Sequence, residues 1–574
     1  MLSSRVLVGA ALCCCVIAAH AEEATLANIS VNQVGFLPDA HKVAVVPALK
    51  SLKFSIIKAG TSKVVLTGKM TASATWAPAD EKVSLADFSR LANPGEYQIR
   101  VAGLPDSARF TVAADEYNTL NRAALRYYYL NRAGIAIDAR HGGKYARAEG
   151  HPDDHVLVHA SAATASRPEG TVISSPKGWY DAGDYNKYIV NSAITVYTLL
   201  AACEHFPQYY RQHSLNIPES GNHVPDVLNE AMWNLAWMLS MQDEDGGVYH
   251  KLTSKLFDSF EMPDQDHSQR YVVQKTTAAT LDFAAVMAVA SRVYKPYDAV
   301  YPGFSTRALQ AAEHAWQWAQ AHPSELYHQP DDIKTGAYGD NNVSDEFAWA
   351  ATELYITTKN DDYYRAVHLQ QVMNGVPSWG NVSGLVWMSL AQHRNELTPI
   401  ADQQLIATRV DELASILLSR TENSAYDVAL QAPDFVWGSN GVALNQAMML
   451  IQGYRLNHDR AYLDAAQALF DYVLGRNPTG YSFVTGFGDK SPMHPHHRLS
   501  ESDGVVDPVP GMVVGGATAL QTDSKGCKVP YPSRLPAESY LDNICSYTTN
   551  EIAINWNAPL VYVSGALQVL TRRK

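Results

Sequence analysis

Hydrophobic positions between about residues 29 and 112 come in short runs that are rich in β-branched and aromatic side chains. Pro, Gly, Asp and Ser separate these runs at the spacing that is typical of a small β-sandwich. The predicted strands cover residues 30–36, 42–46, 53–56, 64–66, 95–101 and 108–112. We therefore expect an all-β, Ig-like sandwich domain over residues 22–115. No paired carboxylates stand out in it, so we expect it to support a catalytic part of the chain.

Beyond residue 115 the hydrophobic positions change to a helical periodicity that continues to the C-terminus. The predicted helices cover residues 117–134, 187–205, 226–242, 276–295, 305–321, 345–358, 361–375, 383–393, 403–419, 440–457, 460–475 and 557–572. Several are apolar on more than one side and need neighbours on two faces. We expect a large all-α domain over residues 116–574. The loops 135–186, 243–275 and 476–556 are too long to be simple connections, so we expect them to carry function.

Residues 1–21 have the pattern of a secretory signal peptide. Arg5 supplies the charged start, an apolar run follows, and Ala19-His20-Ala21 suits a small-residue cleavage site. A membrane anchor is the alternative, but the apolar run is short for a span and no basic cluster follows it. We expect the mature chain to begin at Glu22 and to be secreted or periplasmic, with no membrane attachment after cleavage.

Cysteines are few once the signal peptide is removed. Cys203, Cys527 and Cys545 remain, which is too few for a disulfide scaffold. In an exported protein Cys527 and Cys545 can pair across their loop, while Cys203 lies on an apolar helix face and stays a buried thiol. This pairing is a hypothesis from the sequence.

The composition excludes some classes of ligand. The net charge is −13 and the chain has no dense run of Lys or Arg, which argues against nucleic acid and anionic membranes as partners. Its 31 Tyr and 11 Trp exceed what a core usually needs. A neutral ligand with apolar faces fits this composition better, and we expect the protein to be a monomer.

The stretch Gly178-Trp179-Tyr180-Asp181-Ala182-Gly183-Asp184-Tyr185-Asn186-Lys187-Tyr188 has the residue types of an active site. Asp181 and Asp184 stand three residues apart, and Ala182-Gly183 allows a sharp turn and the approach of a bulky ligand. The four aromatic side chains offer faces on which sugar rings stack. The alternative is structural: Asp184 caps the helix that follows and Asp181 solvates the turn.

Two later segments decide between these interpretations. They are S-F-V-T-G-F-G-D-K-S-P-M-H-P-H-H-R at 482–498 and Y-L-D-N-I-C-S-Y-T-T-N-E-I-A-I-N-W-N-A at 540–558. Together with the Asp-Ala-Gly-Asp stretch at 181–184, they resemble the active-site motifs of glycoside hydrolase family 9, to which many bacterial and plant cellulases belong. The resemblance runs from about residue 26 to 570 and implies an (α/α)6-barrel catalytic domain after the Ig-like module.

The resemblance also implies roles for individual residues. Glu551 is the expected general acid and Asp184 the expected general base of an inverting glycosidase, with Asp181 helping to hold the water. Partial burial of Glu551 among aromatic residues is expected to raise its pKa and keep its proton near neutral pH.

Five further positions are expected to contact substrate. The family positions that bind sugar hydroxyls correspond to His496 and Arg498, and Asp542 and Tyr547 correspond to others that line the cleft. Trp437 precedes a Gly-Ser turn and either stacks a glucosyl ring or fills the core; we favour stacking.

No cofactor is expected for catalysis, but metals must be considered. Family relatives with the Ig-like module hold zinc through two Cys and two His, and the matching segments 131–134 and 149–155 contain no Cys, which argues against zinc. His151, His155 and His159 form either a remnant site or, as we favour, solvent-facing loop histidines. A zinc interpretation of the His-rich segment 494–497 is also disfavoured. The segment 340–346 resembles a family calcium loop at Asp345 and Glu346, with an acidic helix start as the alternative.

We therefore predict a secreted endo-β-1,4-glucanase that acts on cellulose, cellodextrins or related β-glucans. An exo-acting relative, such as an exo-β-glucosaminidase or a cellodextrinase, is the alternative. Exo action requires a loop that blocks the cleft, for which segment 135–175 is the candidate, and an amino sugar requires an acid such as Asp153, Asp154 or Glu169. A non-catalytic carbohydrate-binding protein is the alternative from another class, and the three intact carboxylates argue against it.

Overall fold

The computed structural model describes residues 28–572, which form a β-sandwich followed by a helical barrel. The predicted signal peptide at 1–21 lies outside the described residues. The eight strands of the sandwich are β1 Gly35–Phe36, β2 Val43–Pro47, β3 Lys53–Lys58, β4 Val64–Lys69, β5 Ala74–Trp76, β6 Glu81–Asp87, β7 Gly95–Arg100 and β8 Phe110–Val112. They form one sheet in the order β1-β8-β7-β3-β4 and another in the order β2-β6-β5. Both sheets contribute side chains to one core, as the Ig-like prediction requires.

Two of these strands, β5 and β6, were not predicted from the sequence, and β1 is shorter than predicted. β5 and β6 contain small and charged residues and few residues that favour strands. The position of β6 is instead fixed by its pairing with every residue of β2. The predicted strand 30–36 is only Gly35–Phe36. The Asn32 side-chain carbonyl accepts hydrogen bonds from the backbone N–H groups of Val34 and Gly35, which turns the chain before β1.

The helices of the second part form two concentric rings. Their bounds are α1 Tyr117–Leu130, α2 Ala139–Gly142, α3 Ile189–His205, α4 Pro207–Arg211, α5 Asp226–Ser240, α6 Thr277–Tyr294, α7 Phe304–Ala321, α8 Ser344–Thr358, α9 Asp361–Ala366, α10 Ser383–His393, α11 Gln403–Glu422, α12 Ser439–Asn457, α13 Arg460–Val473, α14 Arg498–Ser502, α15 Tyr547–Asn550 and α16 Ile554–Leu570. The inner ring is α3, α6, α8, α10, α12 and α16, each in contact with the next, and α16 closes it against α3. Helices α1, α5, α7, α9, α11 and α13 pack outside. This arrangement confirms the predicted (α/α)6 barrel.

Burial in the inner ring explains its composition. Every residue of α6 except Arg292 is buried, because inner helices on either side and α7 outside cover its whole surface. The predicted helix 361–375 is wrong beyond Ala366: the backbone enters the left-handed region at His368, with a φ of 49°, and cannot continue the helix. The other predicted helices are present, with ends that differ by a few residues.

Short strands organise the loops at one end of the barrel. They are β9 Val156–Val158, β10 Val172–Ile173, β11 Lys187–Tyr188, β12 Lys251–Thr253 and β13 Tyr271–Val272, in the order β10-β9-β13-β12-β11. This sheet joins the loops 135–186 and 243–275. Cys527 and Cys545 form a disulfide and Cys203 is a buried free thiol, as the sequence predicted. Within residues 28–572, no helix is long and apolar enough to cross a membrane.

The sandwich packs directly on the barrel. Trp76 of β5 is 4% exposed, and its ring centroid lies 4.3 Å from that of Tyr426, with Phe435 and Tyr472 also in contact. The Asn32 side chain donates to Asp471 across the same interface at 2.8 Å. A shared aromatic core therefore couples the two parts.

We expect Trp76→Ala to lower the free energy of unfolding by about 3–5 kcal/mol, because it leaves a cavity between sandwich and barrel. Guanidinium denaturation followed by circular dichroism measures the change. The control is Val64→Ala on β4, whose side chain is half exposed and away from this interface. Equal losses of stability in the two variants would contradict the predicted contribution of Trp76 to the interface.

Candidate active site

A cleft of about 330 Å³ opens where the inner helices begin. Asp181 and Asp184 precede α3, Glu551 precedes α16, and Trp437 precedes α12. Loops before α6, α8 and α10 complete the walls. The lining residues are Asp181, Ala182, Asp184, Tyr188, Phe257, Gly336, Ala337, Tyr338, Trp379, Trp437, Glu551, Ala553, Asn555 and Trp556. The fold thus gathers residues from most of the barrel sequence at one end.

Gly183 lets the two halves of the site meet. A Cβ atom at this position would lie 2.3 Å from the backbone oxygen of His496, so only glycine fits. Arg498 donates to the Gly183 carbonyl through its backbone N–H at 3.1 Å and its guanidinium at 2.8 Å. The Gly183 N–H lies 3.4 Å from Glu551 Oε1. The expected room for a ligand at Ala182-Gly183 is therefore taken by protein backbone at Gly183.

The three predicted catalytic carboxyls lie together in the cleft. Asp181 accepts hydrogen bonds from Asn191 Nδ2 at 2.7 Å and from the Tyr338 hydroxyl at 2.8 Å. Asp184 Oδ2 accepts a hydrogen bond from Asn186 Nδ2. Both aspartates are therefore held by hydrogen-bond donors from the surrounding chain.

The other two carboxyls are disposed to hold protons. Burial, and then the negative charge of Asp184, raise the pKa of Asp181 to about 8. The same two causes raise the pKa of Glu551 well above its ordinary range. The site therefore places Glu551, whose environment favours the protonated carboxyl, in the same cleft as Asp184.

Most aromatic residues of the Asp-Ala-Gly-Asp stretch are core residues, and the expectation that all four stack sugars is wrong. Trp179, Tyr180 and Tyr185 are at most 1% exposed. Trp179 Nε1 donates to Glu230 at 2.8 Å, and the Tyr185 hydroxyl donates to a backbone carbonyl. Of the four, only Tyr188 lines the cleft.

The residues predicted to contact substrate divide into two groups. Trp437 is 42% exposed and lines the cleft, with its ring centroid 5.4 Å from that of Tyr547. His496, Asp542 and Arg498 are instead held by hydrogen bonds to the protein itself. His496 Nδ1 lies 2.5 Å from the Ile544 carbonyl, and Asp542 accepts from two backbone N–H groups in the 493–494 segment.

Arg498 belongs to the second group. It is 5% exposed, and besides Gly183 it donates to the backbone carbonyl of Asp258 at 2.9 Å. Its guanidinium also lies over the ring of Phe260, 5.2 Å from the centroid. Arg498 therefore holds the loops around Asp184 together.

Three aromatic residues of the cleft were missed from sequence. Tyr338 and Trp379 lie in loops shortly before inner helices α8 and α10, and Phe257 lies in the long loop 243–275. The ring centroids of Tyr338 and Trp379 are 5.1 Å apart in an edge-to-face arrangement. For Tyr338 and Trp379 the available signal was an aromatic residue beside Gly ahead of a predicted helix, the same signal that identified Trp437. Phe257 has no neighbouring Gly and gave no such signal.

The histidines of the possible zinc remnant do not converge. His151 is buried between Tyr180 at 2.8 Å and Asp266 at 2.9 Å, whereas His159 contacts Asp332. Only His155 is solvent-facing, so the expectation of exposure is wrong for the other two. In the described part of the chain, no three His, Cys, Asp or Glu side chains are close enough together to hold a metal ion.

Comparisons with known proteins agree with this geometry. The sequence model of glycosyl hydrolase family 9 matches residues 117–564, and that of the cellulase N-terminal Ig-like domain matches residues 24–106. Over 560 residues, the chain is 43% identical to a xyloglucan-specific endo-β-1,4-glucanase from Bacteroides ovatus, covering 94% of each protein. It is 33% identical to endoglucanase D of Acetivibrio thermocellus over 544 residues, covering 93% of this chain and 82% of the relative.

Solved structures give the same result. A family 9 glycoside hydrolase from Bacteroides ovatus superposes with a TM-score of 0.88 at 41% identity, covering 95% of this chain and 99% of the other. A metagenome-derived family 9 endoglucanase superposes with a TM-score of 0.87 at 34% identity, with the same coverage. The similarity therefore includes both the sandwich and the barrel.

The raised pKa of Asp181 predicts a pH-dependent stability. Because the folded value of about 8 lies above that of an unfolded aspartate, stability is lost as pH rises toward 8. We expect the melting temperature of Asp181→Asn to fall less than that of the native protein between pH 5 and 8. Scanning calorimetry across this range measures it, with the exposed Asp154→Asn as control. Parallel curves for Asp181→Asn and the native protein would contradict the prediction.

Proposed function

This chain belongs to glycosyl hydrolase family 9, and from that premise we propose that it cleaves β-1,4-glucosidic bonds within glucan chains with inversion at the anomeric carbon. The observation that carries the proposal is the convergence of Asp184 and Glu551 in one aromatic cleft. An inverting glycosidase needs such a pair, one carboxyl that protonates the departing oxygen and one carboxylate that activates water.

The environments of the carboxyls support their separate roles. Glu551 is the general acid, since its raised pKa keeps a proton available for the leaving-group oxygen. Asp184 is the base: it takes a proton from water while the water oxygen bonds to the anomeric carbon and the glycosidic bond breaks. Asp181, held by Asn191 and Tyr338, helps to orient that water.

Internal cleavage is supported by the set of residues that line the cleft, which includes no residue of segment 135–175, the candidate blocking loop. Asp153, one of three acids considered for binding an amino sugar, is buried in ion pairs with Lys187 at 2.7 Å and Arg270 at 3.2 Å. Asp154 and Glu169 are exposed and do not line the cleft either. These positions favour an endo-acting glucanase over an exo-acting glucosaminidase.

A branched β-glucan is the substrate that we propose first. The relative at 43% identity is named as xyloglucan-specific. In this chain Leu256, Phe257 and Phe260 are 64%, 51% and 45% exposed in the loop that supplies Phe257 to the cleft. Such a row of apolar side chains suits the apolar faces of additional sugar rings. Cellulose, cellodextrins and mixed β-glucans remain the alternatives.

Export and oligomeric state are also proposed. The signal pattern at 1–21 supports secretion or transfer to the periplasm, where the Cys527–Cys545 disulfide is stable. The predicted functional monomer stays part of this proposal, since one chain can supply the three carboxyls and the aromatic walls of the cleft.

We expect hydrolysis of xyloglucan to release the α-anomer first and to yield oligosaccharides from internal cleavage. NMR of the first product and chromatography of digests of xyloglucan, β-glucan, cellohexaose and chitosan oligomers measure these outcomes. An initial β-anomer would refute inversion, and release of units from one chain end only would refute internal cleavage.

The matched control for this experiment is Glu551→Gln, which preserves size and removes the acidic proton. It should lose turnover by about 10²-fold or more while its affinity for oligosaccharides, measured by calorimetry, stays near the native value. Full retained activity would show that the protein does not use this acid.

We also propose a structural calcium ion near Asp345 and Glu346. Both carboxylate oxygens of Glu346, and both of Asp282 on α6, are buried without hydrogen-bond partners, which fits the hard oxygen ligands of calcium. The charges of Asp340 and Asp345 act on both groups. No three carboxylates converge at coordination distance in the described residues, so backbone carbonyls and water would complete the shell.

Chelation tests this ion. We expect EDTA to lower the melting temperature by several degrees and added Ca²⁺, but not Mg²⁺, to restore it, since a ligand bound only to the folded state stabilises it. Asp282→Asn should abolish the response to EDTA, while Asp154→Asn, on an exposed loop, should retain it. A melting temperature that EDTA does not change in the native protein would overturn the proposal.

A further inference from the structure

One side chain that the reaction does not use directly holds the carboxylate of Asp184. Asn186 is fully buried, and its Nδ2 donates a hydrogen bond to Asp184 Oδ2. The Tyr188 hydroxyl is the other donor to this oxygen, at the longer distance of 3.4 Å. Within residues 28–572, no hydrogen bond to Asp184 Oδ1 accompanies these two contacts. Asp184 Oδ2 therefore accepts two hydrogen bonds, whereas Oδ1 accepts none from the described residues.

The orientation of the Asn186 amide is fixed by the chain opposite it. Asn186 Oδ1 accepts hydrogen bonds from the backbone N–H of Ser254 at 2.9 Å and from the Thr253 hydroxyl at 2.9 Å. Because a backbone N–H only donates, the amide oxygen must face Ser254 and the NH2 group must face Asp184. The antiparallel pairing of β11 with β12 sets the register that brings these groups together.

An amide NH2 group has no acceptor lone pair to offer, so it favours an unprotonated oxygen on its partner. We propose that Asn186 is a positioning residue for the catalytic base: it binds Asp184 through Oδ2 and leaves Oδ1 to take the proton of the attacking water. The inference rests on the proposed role of Asp184 as base. It assigns a specific function to a residue of segment 178–188 that touches neither of the other two carboxyls.

Several other charged groups face Asp184 and interact electrostatically with its carboxylate. Asp181 lies on the same loop and Glu551 precedes α16, and both add negative charge when ionised. Lys251 of β12 is the nearby cation; burial lowers its pKa to about 7, and the charge of Asp184 acts in the opposite direction. The charge of Asp184 also acts on His496 and Asp258. A test must therefore compare the shapes of pH profiles rather than single rates.

Two substitutions of Asn186 should change the pH dependence of kcat in opposite directions. Asn186→Ala removes the donor, so kcat should fall about 10- to 100-fold with KM little changed, and the loss should be greatest at acid pH. Asn186→Asp keeps the size and the acceptor for Ser254. When protonated it still donates to Asp184, but when ionised it repels Asp184, so its loss should be greatest at alkaline pH.

The measurement is the pH dependence of kcat and kcat/KM on one soluble β-glucan that the native enzyme hydrolyses. Asn121→Ala is the matched control: this asparagine is equally buried, but it donates to Val561 and Ser564 on α16 and contacts none of the three carboxyls. The control should lose thermal stability and keep the native profile shape. If both Asn186 variants keep the native shape as well, the positioning role is overturned.

Two outcomes separate this inference from the proposed function. Asp184→Asn is measured in parallel, and retained turnover in that variant would overturn the assignment of the base itself. Loss of turnover in Asp184→Asn, with unmoved profiles in the Asn186 variants, would overturn only the role of Asn186. If Asn186→Ala does not fold, Asn186→Asp decides the question, since it preserves both size and the hydrogen bond to Ser254.

Discussion

The active site depends on the close approach of the backbone at Gly183 to the backbone at His496. Any side chain at position 183 would collide with the His496 carbonyl oxygen. The contact places Arg498 against the Gly183 carbonyl and the Gly183 N–H near Glu551. Glu551 and Asp184, the proposed acid and base, therefore come from opposite ends of the barrel sequence, and main-chain contacts between the two segments fix their relative position.

This arrangement carries an electrostatic cost. Three carboxyls share one largely buried region, so burial and mutual repulsion raise the pKa of Asp181 and of Glu551. Contacts from the surrounding core must therefore hold the three carboxyls in place against this repulsion. The core does so with buried aromatic rings behind the loop and with the fully buried ion pair of Arg132 and Glu230, whose carboxylate also accepts from Trp179. The aromatic residues next to the aspartates thus stabilise the loop that carries the chemistry.

The sequence was most informative where a local pattern had one physical meaning. Continuous apolar helices predicted the inner ring because only a helix covered on all sides tolerates them, and the family motifs predicted Asp184 and Glu551. Aromatic residues had two meanings. Trp179 and Trp437 look alike in sequence, yet one is core and the other lines the cleft. Burial of Trp179 depends on Glu230 on α5 and on other distant elements, which no local pattern reveals.

The difference between Asp181 and Asp184 finally comes from how their hydrogen-bond donors are distributed. Each aspartate accepts from one asparagine amide and one tyrosine hydroxyl. At Asp181 the two donors bind different oxygens, Asn191 at Oδ1 and the Tyr338 hydroxyl at Oδ2. At Asp184 both donors, Asn186 among them, bind Oδ2, and among the described residues no hydrogen bond is made to Oδ1. An oxygen without a donor can take a proton without breaking a hydrogen bond, so the distribution of donors favours Asp184 as the proposed base, although both residues are aspartates three positions apart.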